Sequence, residues 1–123
     1  MKVVVDAGNG SGGFFASMLA DLGADTTGSQ FLEPNGTFPN HVPNPEDPTA
    51  MQSAAGAVAR AKADLGIVFD TDVDRSAVVA PDGREINRNR LIAVLSAIVL
   101  EDHPGSTVVT DSVTSKGLAQ FIQ

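Results

Sequence analysis

The sequence predicts an α/β fold: a mixed sheet flanked by helices, with an acidic loop at one strand end. Three observations carry that expectation. Apolar, β-branched runs at Lys2–Val5, Gly66–Phe69 and Ser76–Ala80 read as buried strands. Between and after these runs, apolar residues recur at helical spacing. The stretch "PDGR", residues 81–84, turns the chain back after the third run, which adds an antiparallel element to the sheet.

Taken in order, Lys2–Val5 opens the sheet and "GNGSGG", residues 8–13, breaks the strand. Phe14, Phe15, Met18, Leu19 and Leu22 then line one face of a helix, with Gly23 placed to cap its C-terminus. Residues 24–32, "ADTTGSQFL", are expected to form a second short strand. Residues 33–49 hold Pro34, Pro39, Pro43, Pro45 and Pro48, a density that regular structure does not tolerate, so an ordered loop is expected. Asp47 before Pro48 is a helix start, an N-cap carboxylate followed by proline at the first helical position. That helix should run to about Lys62, with Met51, Ala55 and Val58 on one side. After the next two strands, Asn87 or Asn89 can cap a third helix whose face is Leu91, Leu95, Ile98 and Val99, ending at His103, Pro104 and Gly105. Thr107–Thr110 reads as one more strand and Lys116–Gln123 as a helix. The expected organisation is one domain over residues 1–104 and the first pieces of another over 105–123.

Composition narrows the function classes. A chain of 123 residues, 42% of them hydrophobic, can build a core without staples. There is no cysteine, hence no disulfide framework and no thiolate metal site. The formal charge of −7 argues against nucleic-acid binding, which needs basic residues on phosphates. With six phenylalanines and neither tryptophan nor tyrosine, a base-stacking platform has little to build on. No apolar run approaches the roughly 18 residues of a membrane span. The N-terminus "MKVVVDAGNG" is too short in apolar residues for a signal peptide, so a cytoplasmic location is expected, without a membrane partner.

Three motifs bear on chemistry. "GNGSGG" fits G-x-G-x-x-G at Gly8, Gly10 and Gly13, after a strand and before a helix, as a dinucleotide fingerprint would. The acidic residue that should follow, Asp25 or Glu33, does not close a second apolar strand, and a plain glycine turn is the simpler reading. His41 and His103 stand alone without histidine or cysteine at ligand spacing, so they read as surface or capping residues. The stronger signal is "GIVFDTDVDRSAVVA", residues 66–80. Asp70, Asp72 and Asp74 would share one face of an extended strand. Two unit charges about 4 Å apart repel by about 4 kcal/mol at an effective dielectric near 20. The flanking strands anchor the loop, so either it is a solvated acidic turn or a cation sits among the carboxylates. Oxygen-only ligands select a hard cation, and Arg75 adds a planar donor fork suited to phosphate. An EF-hand starting at Asp70 fails, because its glycine and glutamate positions hold Arg75 and Pro81. A haloacid-dehalogenase-type phosphatase with Asp70 as nucleophile, and a non-catalytic cation-binding α/β domain, remain alternatives.

"GIVFDTDVDRSAVVAPDGREI" resembles the metal-binding loop of the α-D-phosphohexomutases, the phosphoglucomutase and phosphomannomutase superfamily, with Thr71 where a glycine is common. "KVVVDAGNGSGG" and "FPNHVPNPEDP" resemble the opening strand and proline-rich loop of that family's second domain, and "GSTVVTDSVTSKGL" the start of its third. The resemblance covers essentially the whole chain. It implies that residues 1–104 are the metal-binding second domain and 105–123 the start of the third. It implies Asp70, Asp72 and Asp74 as ligands of Mg²⁺ and Arg75 beside the transferring phosphate. The implied partners are a phosphosugar and a phosphoserine on a first domain. The implied reaction interconverts sugar 1-phosphate and 6-phosphate, glucose foremost, through a bisphosphorylated intermediate. No T-A-S-H-N serine loop stands among these residues, so the chain alone is expected to be inactive. Lys116 is given no role.

Overall fold

A computed structural model of the chain describes residues 1–110 and 114–122. They form two compact units, Met1–Glu85 and Ile86–Gln123. The helix expected after residue 87 lies in the second of these units.

The larger unit holds β1 (Val3–Asp6), a 3-10 turn (Ser11–Gly13), α1 (Phe14–Asp21), α2 (Pro48–Ala61), β2 (Leu65–Phe69) and β3 (Ser76–Val79). The sheet order is β1-β2-β3. β1 and β2 are parallel, with Val3 opposite Leu65 and Asp6 opposite Val68. β2 and β3 are antiparallel, with Gly66 opposite Val79 and Phe69 opposite Ser76. The mixed sheet expected from the sequence is therefore present. Strand alternation sends Val4, Val68 and Val79 into one apolar cluster with Ala50, Ala54, Ala57 and Val58 of α2. It sends Val5, Ile67 and Phe69 into a second, with Phe15, Ala16 and Leu19 of α1. Helices thus cover both faces, and the Phe15 and Phe69 rings meet edge to face at 5.1 Å.

Each helix departs slightly from its expected face. On α1 the sheet takes Phe15, Ala16 and Leu19, while Phe14, Met18 and Leu22 are exposed. Gly23, at φ +89°, ends that helix. Its amide donates to Ala20, and the Ala24 amide donates to Leu19. On α2 the buried stripe is Ala50, Ala54, Ala57 and Val58, with Met51 and Ala55 at its border. Small residues win that stripe because α2 lies close to the sheet. A Cβ on Gly66 of β2 would come within 2.5 Å of Val58 and 3.3 Å of the Val79 Cβ. The N-cap is as expected, with the Asp47 carboxylate accepting the Thr49 amide at 2.7 Å.

Residues 24–32 do not form the second strand expected of them. They meet the β1 segment at two isolated parallel bridges, Asp25 with Lys2 just before the strand and Gln30 with Asp6 at its end. Between these the chain turns through Thr26–Ser29, with Gly28 at φ +105°, which interrupts any ladder. "PDGR" does reverse the chain. Ala80 donates to the Arg84 carbonyl, and the returning limb is a single bridge between Val79 and Glu85.

In the smaller unit, α3 (Arg88–Asp102) is capped by Asn87, whose side chain accepts the Asn89 amide at 3.0 Å. Leu95, Ile98 and Val99 of its expected apolar face are exposed. His103 is its C-cap residue, its amide donating to Val99. The strand expected at Thr107–Thr110 is absent: those residues are irregular, because a strand needs a paired neighbour and the described residues of this unit supply none. α4 (Lys116–Ile122) follows the expected helix, with Gln123 outside the described residues. Among the described residues no helix is long and apolar enough to cross a membrane.

Candidate metal centre

β1 and β2 run parallel, so their C-terminal ends meet at one edge of the sheet, where α/β folds place their ligand sites. β1 ends in Asp6, and Asp70 follows the last residue of β2. Both carboxylates are buried, with Asp6 at 0% and Asp70 at 1% exposure. A buried carboxylate must be hydrogen-bonded or paired.

Asp70 meets that need through Arg75. One of its oxygens accepts the Arg75 amide at 3.1 Å and the other the Arg75 Nε at 3.0 Å. The Asp70 amide donates back to the Arg75 carbonyl at 3.2 Å, which closes the loop across its base. The loop is not the extended strand its alternation suggested. Val73 adopts a left-handed φ of +68°, uncommon for a β-branched residue, and tucks into the cluster beneath α1. Its two neighbours, Asp72 and Asp74, are left exposed on either side.

The result is a carboxylate cage. Asp70, Asp72 and Asp74 each offer an oxygen, and these lie within 4.8 Å of one another. Octahedral Mg²⁺ at about 2.1 Å spans at most roughly 4.2 Å between opposite ligands. Rotation of the two exposed side chains closes that difference, so an all-oxygen donor set of this size fits a hard divalent cation. The electrostatics agree. Burial pushes the Asp70 carboxyl up, but the Arg75 amide, a hydrogen bond with Asp74 and the Arg75 guanidinium outweigh it and hold Asp70 below its ordinary value. Asp74 is pushed above its ordinary value by its hydrogen bond with Asp70 and by the charges of Asp70 and Asp72. A cation among the three would relieve that repulsion. Arg75 spends Nε on Asp70, but its side chain is 52% exposed, and the guanidinium has two further nitrogens to donate.

The four residues singled out from the sequence, Asp70, Asp72, Asp74 and Arg75, thus stand together. The glycine turn does not have the room of a dinucleotide site. The space beside Gly10 is filled by Thr71, whose carbonyl oxygen would lie 2.9 Å from a Cβ, and that beside Gly13 by the Leu32 backbone. Asp25 pairs with Lys2 at 3.7 Å and caps the Thr27 amide, away from any ligand role. His41 is no surface residue. It is buried, with Nε2 3.0 Å from Asp6 and Nδ1 3.0 Å from the Val42 carbonyl. Asp6 also accepts the Gly8 amide at 3.0 Å and Gln30 Nε2 at 2.7 Å. This buried network went unread in the sequence. The available signal was an aspartate closing an all-valine strand, a group that cannot be left unpaired.

Comparison with known proteins places these observations. Residues 1–83 match the family model described as phosphoglucomutase/phosphomannomutase, alpha/beta/alpha domain II. A phosphoglucomutase of Neisseria meningitidis serogroup A is 40% identical over all of this chain, which covers 27% of that protein. A phosphomannomutase/phosphoglucomutase of Pseudomonas syringae pv. tomato is 37% identical over 99% of the chain and 26% of its own length. The crystal structure of a phosphoglucomutase/phosphomannomutase family protein from Burkholderia thailandensis superposes with a TM-score of 0.91 at 35% identity. It covers 99% of this chain, which matches 27% of that one. The chain therefore spans about a quarter of the length of these relatives.

Proposed function

The chain belongs to the phosphoglucomutase/phosphomannomutase family, and from that membership we propose that it supplies the Mg²⁺-binding second domain of an enzyme interconverting sugar 1-phosphate and 6-phosphate. The sugar in this reading is glucose, on the strength of the Neisseria relative's name. The route runs through a phosphoserine elsewhere in the protein and a bisphosphorylated sugar. Residues 1–104 are assigned to the second domain and 105–123 to the start of the third, in an enzyme of the cytoplasm.

The observation that carries this reading is the convergence of Asp70, Asp72 and Asp74 within 4.8 Å beside the exposed guanidinium of Arg75. The three carboxylates would hold the cation, which when bound neutralises negative charge on a phosphoryl oxygen. Arg75, fixed through Nε by Asp70, would present its remaining donors to the same phosphate. Asp70, sealed between β2 and Arg75, keeps the rest of the loop in register. A purely structural cation gains no support, since Arg75 is half exposed where a phosphate could reach it.

The test is calorimetric titration of Mg²⁺ into this chain, with and without inorganic phosphate. Binding should be detectable at millimolar Mg²⁺ and tighter with phosphate, which bridges metal and arginine. Asp72→Asn should weaken it by roughly tenfold or more, since one of three charged ligands is lost. Equal binding by parent and variant would reduce the loop to a solvated turn. The chain alone should turn over no glucose 1-phosphate. Mg²⁺-dependent release of phosphate that disappears in Asp70→Ala would favour the phosphatase.

A further inference from the structure

The glycine turn was left without a role by the functional reading. It touches the acidic loop directly. The Ser11 amide donates to the Thr71 carbonyl oxygen at 2.9 Å, and the Ser11 hydroxyl donates to the same oxygen at 2.8 Å. A carbonyl oxygen has two lone pairs, and Ser11 takes both. The Thr71 carbonyl is thereby withheld from any cation, and the peptide plane joining Thr71 to Asp72 is fixed.

The turn that does this is itself rigid. Asp6, anchored by His41 and Gln30, accepts the Gly8 amide. The Asn9 amide donates to Phe31 at 2.8 Å, and the Gly10 amide to Ala7 at 2.7 Å. A side chain at position 10 would press on Thr71, its Cβ 2.9 Å from the oxygen and 3.0 Å from Cα. The chain from Asp6 to Ser11 therefore forms a bracket from the end of β1 to the loop after β2.

We propose that Ser11 is a positioning residue for the acidic triad: by gripping the Thr71 carbonyl with both amide and hydroxyl, it sets how Asp72 presents its carboxylate to a cation. This rests on the metal reading of the triad, and the test separates the two. Ser11 is exposed, so losing its hydroxyl leaves the core intact.

The experiment compares the parent chain with Ser11→Ala, Ser11→Thr and Gly10→Ala by two readouts. The first is metal-free amide hydrogen exchange at Asp70 and Arg75, referenced to Val68 and Val78 in the strands. The second is Mg²⁺ affinity by calorimetry. Ser11→Ala should speed exchange at the two loop amides and weaken Mg²⁺ binding, each by about three- to tenfold, the worth of one hydrogen bond. Strand amides should keep the parent rate. Ser11→Thr, which retains the hydroxyl, should restore both readouts. Gly10→Ala, which pushes Thr71 away, should weaken Mg²⁺ binding at least as much as Ser11→Ala. Unchanged Mg²⁺ affinity in Ser11→Ala or Gly10→Ala overturns the proposal, as does a loss that Ser11→Thr shares. A parent that binds no Mg²⁺ sinks the metal reading instead. The bracket then stands if loop exchange rises in Ser11→Ala and falls if it does not.

Discussion

At the scale of single residues, the centre is a problem in placing negative charge. Asp6 and Asp70 sit at adjacent strand ends, both buried, and each is satisfied by its own set of donors. Removing one donor group tests how much that satisfaction matters. His41→Leu removes one of the two partners of a buried Asp6 oxygen and should cost about 1–3 kcal/mol. Urea denaturation monitored by circular dichroism measures it, and a variant as stable as the parent would mean that the Gly8 amide alone satisfies that oxygen. The aspartate triad and Arg75 were legible in the sequence because their spacing is local: five residues with three like charges demand an explanation on their own. Asp6, Ser11, Gln30 and His41 were not, because their meaning comes from contacts across 24 to 60 positions in the chain. No spacing rule encodes such contacts. Val73 hid for another reason. Its side chain reads as one more strand residue, and only its left-handed backbone separates the outward carboxylates from the inward valine.

At the scale of elements, caps and turns were read well and faces less well. Asp47, Pro48 and Asn87 act through chemistry confined to one helix turn, so the sequence carries it whole. The Asp47 carboxyl is held below its ordinary value, first by the Thr49 amide and then by the Thr49 hydroxyl. Its folded value lies under its unfolded value. Its contribution is therefore fully present above the unfolded value near 3.8 and fades as pH falls through the folded one. Asp47→Asn keeps an acceptor but does not titrate. The stability gap between parent and this variant should accordingly shrink as pH drops from about 5 to about 2, in thermal melts recorded across that range. The α2 face was misplaced because alanine gives a weak apolar signal, and only proximity to the sheet makes Ala50, Ala54 and Ala57 its buried stripe. Gly66 is the counterpart of that proximity on β2. Gly66→Ala would drive a methyl into Val58 and Val79 and should cost about 1–3 kcal/mol in the same denaturation assay. A neutral result would mean that α2 can lift away from the sheet. Residues 24–32 and 107–110 were read as strands from composition, yet a strand exists only where a partner offers an unbroken ladder.

At the scale of the whole molecule, the two units should differ in how firmly they are held. The larger owns a sheet covered on both faces; among its described residues the smaller holds α3 and α4, with Leu95, Ile98, Val99 and Phe121 exposed. Hydrogen exchange should find the β1 and β2 amides protected by orders of magnitude more than those of residues 107–110 and 116–122. Comparable protection in both would show that the smaller unit is stable in its own right. The parallel pairing of β1 with β2 has a further consequence in time. Val3 must find Leu65 with most of the unit between them, and no hairpin can bring them together. During synthesis at roughly 5–20 residues per second, β1 emerges first and waits several seconds for its partner. Meanwhile its valines form a bare, sticky ribbon, flanked only by the charges of Lys2 and Asp6 as guards against pairing with a neighbour's. The carboxylate that later anchors the turn beside the acidic loop would thus have kept β1 soluble until β2 arrived.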